Sequence, residues 1–317
     1  MTQMTPGQAR IVDPVLTTHA LGYVRPGNVG LGLFPAVEVG LRAGKIVTFG
    51  KESFRRYSVT RAPGESTRRV TFGYQGNPYA IVDQALEAVV PDELIEESAN
   101  GPGLDASRDA IDATLDIFEL EHECQCAAIA RDTGNYGSNT SGLTGQNRWK
   151  GTDGDPTANI NTAKEAIRTA IGVRPNTILL SATAFAALKA NAKIVDYMAK
   201  RGLEALTTQI ISNLWEIPNV LIGEAVVAGG VNDSMSDVWG DDVILAYVAP
   251  PSGSNRRSAS RPSFGYTYTL KGQPNVRMPY RDENRQSWIH QVANNRTPLV
   301  TGILGGYLLQ NAGASPT

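Results

Sequence analysis

The sequence predicts a mixed α+β protein, and three observations carry that prediction. Residues 105–132 keep a helical apolar period with few breakers, enough for a helix of about 40 Å. Residues 159–250 alternate short helical segments with short apolar runs, the pattern of a compact α/β unit. Residues 41–90 and 263–311 alternate polar with apolar or aromatic side chains at period two, the pattern of half-buried strands.

Composition bounds the function. The chain has 317 residues, about two domains' worth, with 29 Lys+Arg against 31 Asp+Glu and a formal charge of −2. A generally basic nucleic-acid binder is not expected from that balance. No apolar run reaches the roughly 20 residues of a spanning helix, and no signal peptide is read at the N-terminus. Cys124 and Cys126 do not make a disulfide scaffold. His19, His122 and His290 are few for a metal or acid–base enzyme. The near-neutral total conceals two opposed blocks. Residues 41–80 carry eight basic groups against Glu52 and Glu65, a net +6. Residues 81–132 carry fourteen acids against Arg108 and Arg131, a net −12.

In chain order, residues 1–40 read as an extended arm, because Pro6, Pro14, Pro26 and Pro35 interrupt helices. Residues 41–80 read as a long β-hairpin. Lys45 to Phe49, Arg56 to Thr60 and Arg68 to Phe72 are β-rich, and Pro63-Gly64 supplies the turn. Such a hairpin buries little by itself, so something outside it is expected to cover it. Tyr79 to Val90 read as one strand and Pro91 to Glu97 as a short helix with Pro in its first turn. Asp105 or Ser107 caps the long helix, Ile111, Leu115 and Phe118 form its apolar stripe, and Asp109, Asp112, Asp116, Glu119 and Glu123 are assigned to its solvent face. Residues 133–158 read as a loop and a boundary. Helices are expected at 162–171, 182–200 and 203–215, and strands at 177–180, 219–222 and 242–248. A basic loop covers 252–262, and strands return over 263–311.

Specific chemistry is scarce. His122 and Cys126 share a helix face, but tetrahedral zinc needs four converging ligands and no second pair exists; one Glu119-x-x-His122 is likewise short of a di-iron site. Gly30-Leu31-Gly32 lacks the third glycine of a dinucleotide fingerprint, and Gly44 to Gly50-Lys51 has the wrong spacing for a phosphate loop. Tyr57, Phe72 and Tyr74 among arginines suit a single-strand groove, yet the adjacent acidic block opposes nucleic acid. No catalytic, cofactor or metal site is assigned. An enzyme built on 159–250 would need a nucleophile–base pair that the sequence does not supply.

The order of the segments resembles a known family. Leu33-Phe34-Pro35, the Lys45 to Phe49 strand with Gly50-Lys51, Arg61-Ala62-Pro63-Gly64, and Val89-Val90-Pro91-Asp92-Glu93 ahead of the long helix carry the resemblance. Together they look like the major capsid proteins of tailed bacteriophages, with the Hong Kong 97 fold. That resemblance implies an N-terminal arm (1–40), an extended E-loop hairpin (41–80), a peripheral domain (81–158 and 264–317, with spine helix 105–132) and an axial domain (159–263). It implies self-assembly as hexamers and pentamers into an icosahedral shell enclosing double-stranded DNA, in the virion after assembly in the host bacterial cytoplasm. Encapsulin shells, which hold protein cargo, share the fold. Expected partners are copies of the chain, portal, separate scaffolding and decoration proteins, and packaged DNA touched without sequence preference; no membrane is involved. The hairpin is reached by residue 41, which leaves no room for a long scaffolding segment before it.

In the family the E-loop overlies the neighbouring subunit. The implied contact sets Lys51, Arg55, Arg56, Arg61, Arg68 and Arg69 against Asp109, Asp112, Asp116, Glu119 and Glu123 of another copy. Some relatives are crosslinked by a Lys–Asn isopeptide bond; Lys45 or Lys51 with Asn294 or Asn295, near Glu283, are the candidates, and an uncrosslinked shell is the default.

Overall fold

The computed structural model describes residues 12–23, 25, 27–48, 75–100, 105–202, 205–230, 234–251 and 261–316. The hairpin residues Lys51, Arg55, Arg56, Arg61, Arg68 and Arg69, and the strands expected at 56–60 and 68–72, lie outside the described residues.

The α/β unit is built on a five-stranded sheet in the order β5 (Thr140–Gly142), β16 (Gly306–Gln310), β10 (Val243–Ala246), β6 (Thr177–Ser181) and β7 (Asn219–Gly223). Its central strands β6 and β10 are buried at every position, as a sheet covered on both faces requires. Strand alternation sends Ile178, Leu180, Val243, Leu245 and Leu309 to one face. There they meet α5 (Pro156–Ile171), α6 (Ala182–Ala190), α7 (Ala192–Lys200) and α8 (Thr208–Trp215), with Trp149 and Trp215 buried among them. Leu179, Ile244, Ala246 and Leu308 face the other way. They pack on Leu33, Phe34, Phe264, Trp239 and the last turns of α4 (Ala106–Arg131).

A second sheet centres on β14 (Ser287–Ala293), antiparallel to β4 (Ala85–Pro91) on one side and to β12 (Asn275–Val276) and β13 (Tyr280–Asp282) on the other. Val292 and Val276 join Ile111, Leu115 and Phe118 of α4 and Ala20 of the arm in one core cluster. A third sheet, β1 (Ala36–Val39), β11 (Gly265–Leu270) and β15 (Arg296–Val300), ties the arm to the returning strands. The base of the long hairpin is present as β2 (Ala43–Thr48) antiparallel to β3 (Gln75–Ala80), with Lys45 opposite Pro78.

Several expectations are corrected. The arm is not wholly extended: α1 (Pro14–Gly22) forms because Pro14 stands in the first turn, where its missing N–H costs nothing, and Asp13 caps it. The strand expected over Tyr79 to Val90 is two strands. Asn295 holds the break between them, its Oδ1 accepting from the Gln84 N–H at 2.8 Å. Pro91 ends β4, so α3 (Asp92–Asn100) starts one residue later. The helix expected over 182–200 divides at Asn191. That side chain accepts from Lys193 N and Ile194 N and donates to the carbonyls of Trp149 and Gly154, offering the backbone an alternative to continued helix. The helix expected from residue 203 is seen from Thr208, with Thr207 as its cap.

Residues 133–158, expected as a loop, are packed and contribute β5. Tyr136 and Trp149 are fully buried, and a Cβ at Gly151 would overlap the Gln146 carbonyl, so glycine there permits close packing. The strands β5 and β16, which the sequence reading places in the peripheral domain, belong to the sheet of the α/β unit.

Candidate assembly interface

The longest helix and the arm form one seam. α4 starts at Asp105, whose carboxylate accepts from the Arg108 N–H. Ile111, Leu115, Phe118 and Cys126 are buried, as their spacing predicts. Leu16, Ala20 and Tyr23 of the arm pack over that stripe.

Beside the apolar contact runs a polar ladder. His19 Nε2 lies 2.7 Å from Asp112 Oδ1. The Tyr23 hydroxyl donates to Asp116 at 2.6 Å, and this bond, with burial, pushes the phenol up to about 12. Arg25 donates to the Asp116 carbonyl at 3.1 Å, and Asn28 to the Glu119 carbonyl at 3.1 Å. The ladder ends at Glu123, whose carboxylate accepts from Val29 N–H at 3.0 Å, Gly30 N–H at 2.8 Å and the Trp239 indole at 2.7 Å. Arm and helix advance together: His19 to Tyr23 and Asp112 to Asp116 are both steps of four, close to one helical turn.

These facts change the acidic face. Glu123 is 1% exposed and saturated with donors from its own chain, so its place on a solvent face is overturned. Glu119 forms an ion pair of 2.8 Å with Arg296, which also donates to the Phe118 carbonyl. Asp112 and Asp116 are half-buried and engaged by the arm. Of the five acids, Asp109 stands exposed. The outer face of α4 runs instead through Asp109, Ala113, Ile117 and Glu121, with Ile117 57% exposed. The partners that turn these acids inward lie on the arm, where no helix is expected from the sequence. One signal was present: Glu123 falls eight residues after Leu115, on the flank of the buried stripe.

An apolar groove of about 520 Å³ opens beside Asp109. Val89, Val90 and Leu94 line it with Ala106 and Ala110, and Glu97 and Asp109 supply its charge.

The cysteine–histidine cluster is a packed interior. His122 Nε2 is 3.1 Å from Thr267 Oγ1, and that hydroxyl gives its one proton to the Phe34 carbonyl at 2.8 Å. His122 therefore donates through Nε2. Burial first, and Arg296 second, bring it down to about 3. Cys126 lies 3.6 Å from His122 Nε2, and burial raises its thiol well above the usual range. Among the described residues no group of three or more His, Cys, Asp or Glu has metal-holding geometry. No helix among them is long and apolar enough to cross a membrane.

Of the crosslink candidates, Lys51 lies outside the described residues. Lys45 is exposed on β2, but Asn294 and Asn295 are buried and Asn295 is committed to Gln84. Glu283 pairs with Arg281.

Comparison with known proteins decides the family. The sequence model of the phage major capsid protein E family matches residues 127–291. The major capsid protein of Burkholderia phage BcepMu is 33% identical over 302 residues, 95% of this chain and 96% of that protein. The chain belongs to the phage major capsid proteins. The fold agrees: a phage-related protein from Bordetella bronchiseptica RB50 superimposes with a TM-score of 0.84 at 44% identity, covering 97% of this chain and all of that one. The satellite phage P4 procapsid chain (TM-score 0.50, 11% identity, 98% of this chain and 92% of that one) shares the capsid fold. So does the SrpI encapsulin of Synechococcus elongatus PCC 7942 (TM-score 0.54, 12% identity, 100% of this chain and 94% of that one). The expected Hong Kong 97 architecture is therefore the observed one, and the role of the chain is structural and shell-forming.

Proposed function

We propose that copies of this chain assemble as hexamers and pentamers into the icosahedral head of a tailed phage, in the host cytoplasm, around double-stranded DNA. The supporting observation is relationship along nearly the whole length to a phage major capsid protein. Portal, scaffolding and decoration proteins are the further partners proposed for such a head. The encapsulin likeness rests on fold at 12% identity, so a genome is favoured over protein cargo.

Contact between copies follows from charge. Segment 41–80 carries +6, and its base is β2 paired with β3. The acidic counterpart on the neighbour is narrower than sequence alone suggests. It centres on Asp109, with the apolar groove at Val89 and Leu94 as its floor and Asp112 and Asp116 at its margin. Exposed pairs contribute roughly 0–1 kcal/mol each, and their repetition around closed rings makes register decisive.

Reversing Arg68→Glu with Arg69→Glu should leave the circular dichroism and melting of the subunit unchanged while removing fast-sedimenting particles. Normal particles from that variant would sink the hairpin contact. A wild-type chain found only as a slowly sedimenting oligomer would sink the shell.

A further inference from the structure

Two apolar surfaces of the α/β unit face solvent on opposite sides of its sheet. The first is a hairpin, β8 (Val226–Ala228) paired with β9 (Met235–Asp237). Its register sets Val226 opposite Asp237 and Ala228 opposite Met235, so these four share one face and Val227 takes the other. Val227 packs into the cluster of Trp239 and Leu33. The outer face is open, with Met235 69% and Val226 44% exposed. From Glu224 to Asp242 the sequence holds five acids and no lysine or arginine.

The second surface is a groove of about 440 Å³ along α7, lined by Ile194, Val195, Met198 and Leu206, with Lys189 of α6 among its walls. Ile194 and Met198 belong to the core cluster on the opposite face of the sheet from Val227. Between Ala182 and Gly202 stand Lys189, Lys193, Lys200 and Arg201 against a single acid, Asp196. Lys193 is taken by Asp155 and Lys200 by Asp196. Lys189 lies over the Phe185 ring at 4.1 Å and Arg201 over Tyr197 at 4.6 Å; among the described residues neither has a carboxylate partner.

We infer that the β8–β9 hairpin of one copy seats in the α6–α7 groove of the next, Met235 and Val226 on the apolar floor and Asp237 and Glu224 toward Lys189 and Arg201. This inference rests on the self-assembly reading and names one contact within it. The sheet stands between the two surfaces in one chain, so a hairpin meets a groove only across copies. Different patches on the two sides make the contact head-to-tail, and head-to-tail contacts close into rings when the rotation allows. Opposite charge around an apolar centre fixes its register.

The test is site-directed crosslinking. Val195→Cys and Met235→Cys are made singly and together in the full chain carrying Cys124→Ser, each at an exposed position, and purified protein is treated with a short bismaleimide. A ladder of multimers from the double variant and from neither single variant is expected. Particle formation, read by electron microscopy on the same samples, separates this contact from the shell. Particles without a ladder, or a ladder from a single variant, overturn the seat and leave the shell standing. A ladder without particles keeps the seat and overturns the shell; neither ladder nor particles overturns both. As a second arm, Asp237→Lys is expected to lose assembly and Lys189→Glu in the same chain to restore it. Normal assembly of Asp237→Lys, or no restoration, would count against the seat.

Discussion

Glu123 joins the arm and the α/β unit through a single carboxylate. Glu123→Ala would leave two backbone N–H groups and the Trp239 indole buried without an acceptor, at roughly 1–3 kcal/mol each. Urea unfolding should show a loss of about 3 kcal/mol or more, and a loss under about 1 kcal/mol would contradict the geometry. His122 makes a prediction in pH. Its neutral form is the folded form, with a folded value of about 3 against 6.5 for the free side chain. Its contribution is thus whole above pH 6.5 and falls as pH drops toward 3, with a slope of about 1.4 kcal/mol per pH unit. His122→Asn should flatten the pH dependence of the urea midpoint between pH 6.5 and 4. Coincident slopes for the two proteins would refute the assignment. The shared face of His122 and Cys126 was legible from their spacing. The burial of Glu123 was legible only as a place on the flank of the stripe, because its donors come from residues about 93 and 116 positions away.

Among elements, the seam of α1 on α4 governs where the acidic block faces. Local patterns found α4 and its stripe, since periodicity and caps are written in neighbouring residues. They missed α1: four prolines in forty residues suggested an extended arm, although Pro14 sits where helices accept it. They also missed that loop 133–158 is packed, because close approach of glycine backbones depends on tertiary partners. Ala20 lies in the seam at 2% exposure. Ala20→Glu forces a carboxylate into that apolar contact and should free the arm. Hydrogen exchange over 14–22 should then quicken by tenfold or more, which is a loss of about 1.4 kcal/mol of protection, while the β6–β10 core keeps its rate. Unchanged protection over 14–22 would show that the ladder alone holds the arm.

At the level of the whole molecule, segment order was the readable signal, and it led to the capsid fold with no motif of high specificity. The boundary between units was less readable, since β16 returns from the far end of the chain into the five-stranded sheet. Charge asymmetry was readable in amount and only partly in use. Much of the −12 block is satisfied within the chain, leaving a smaller surface for a neighbour. Assembly driven by that surface should slow as salt rises from 0.05 to about 0.5 M, because the screening length shortens from over 10 Å to a few ångströms; light scattering that is indifferent to salt would argue against it. Electron microscopy of the purified wild-type protein tests the central claim most directly. The account predicts uniform closed icosahedral shells, and a preparation holding only small soluble oligomers would contradict it.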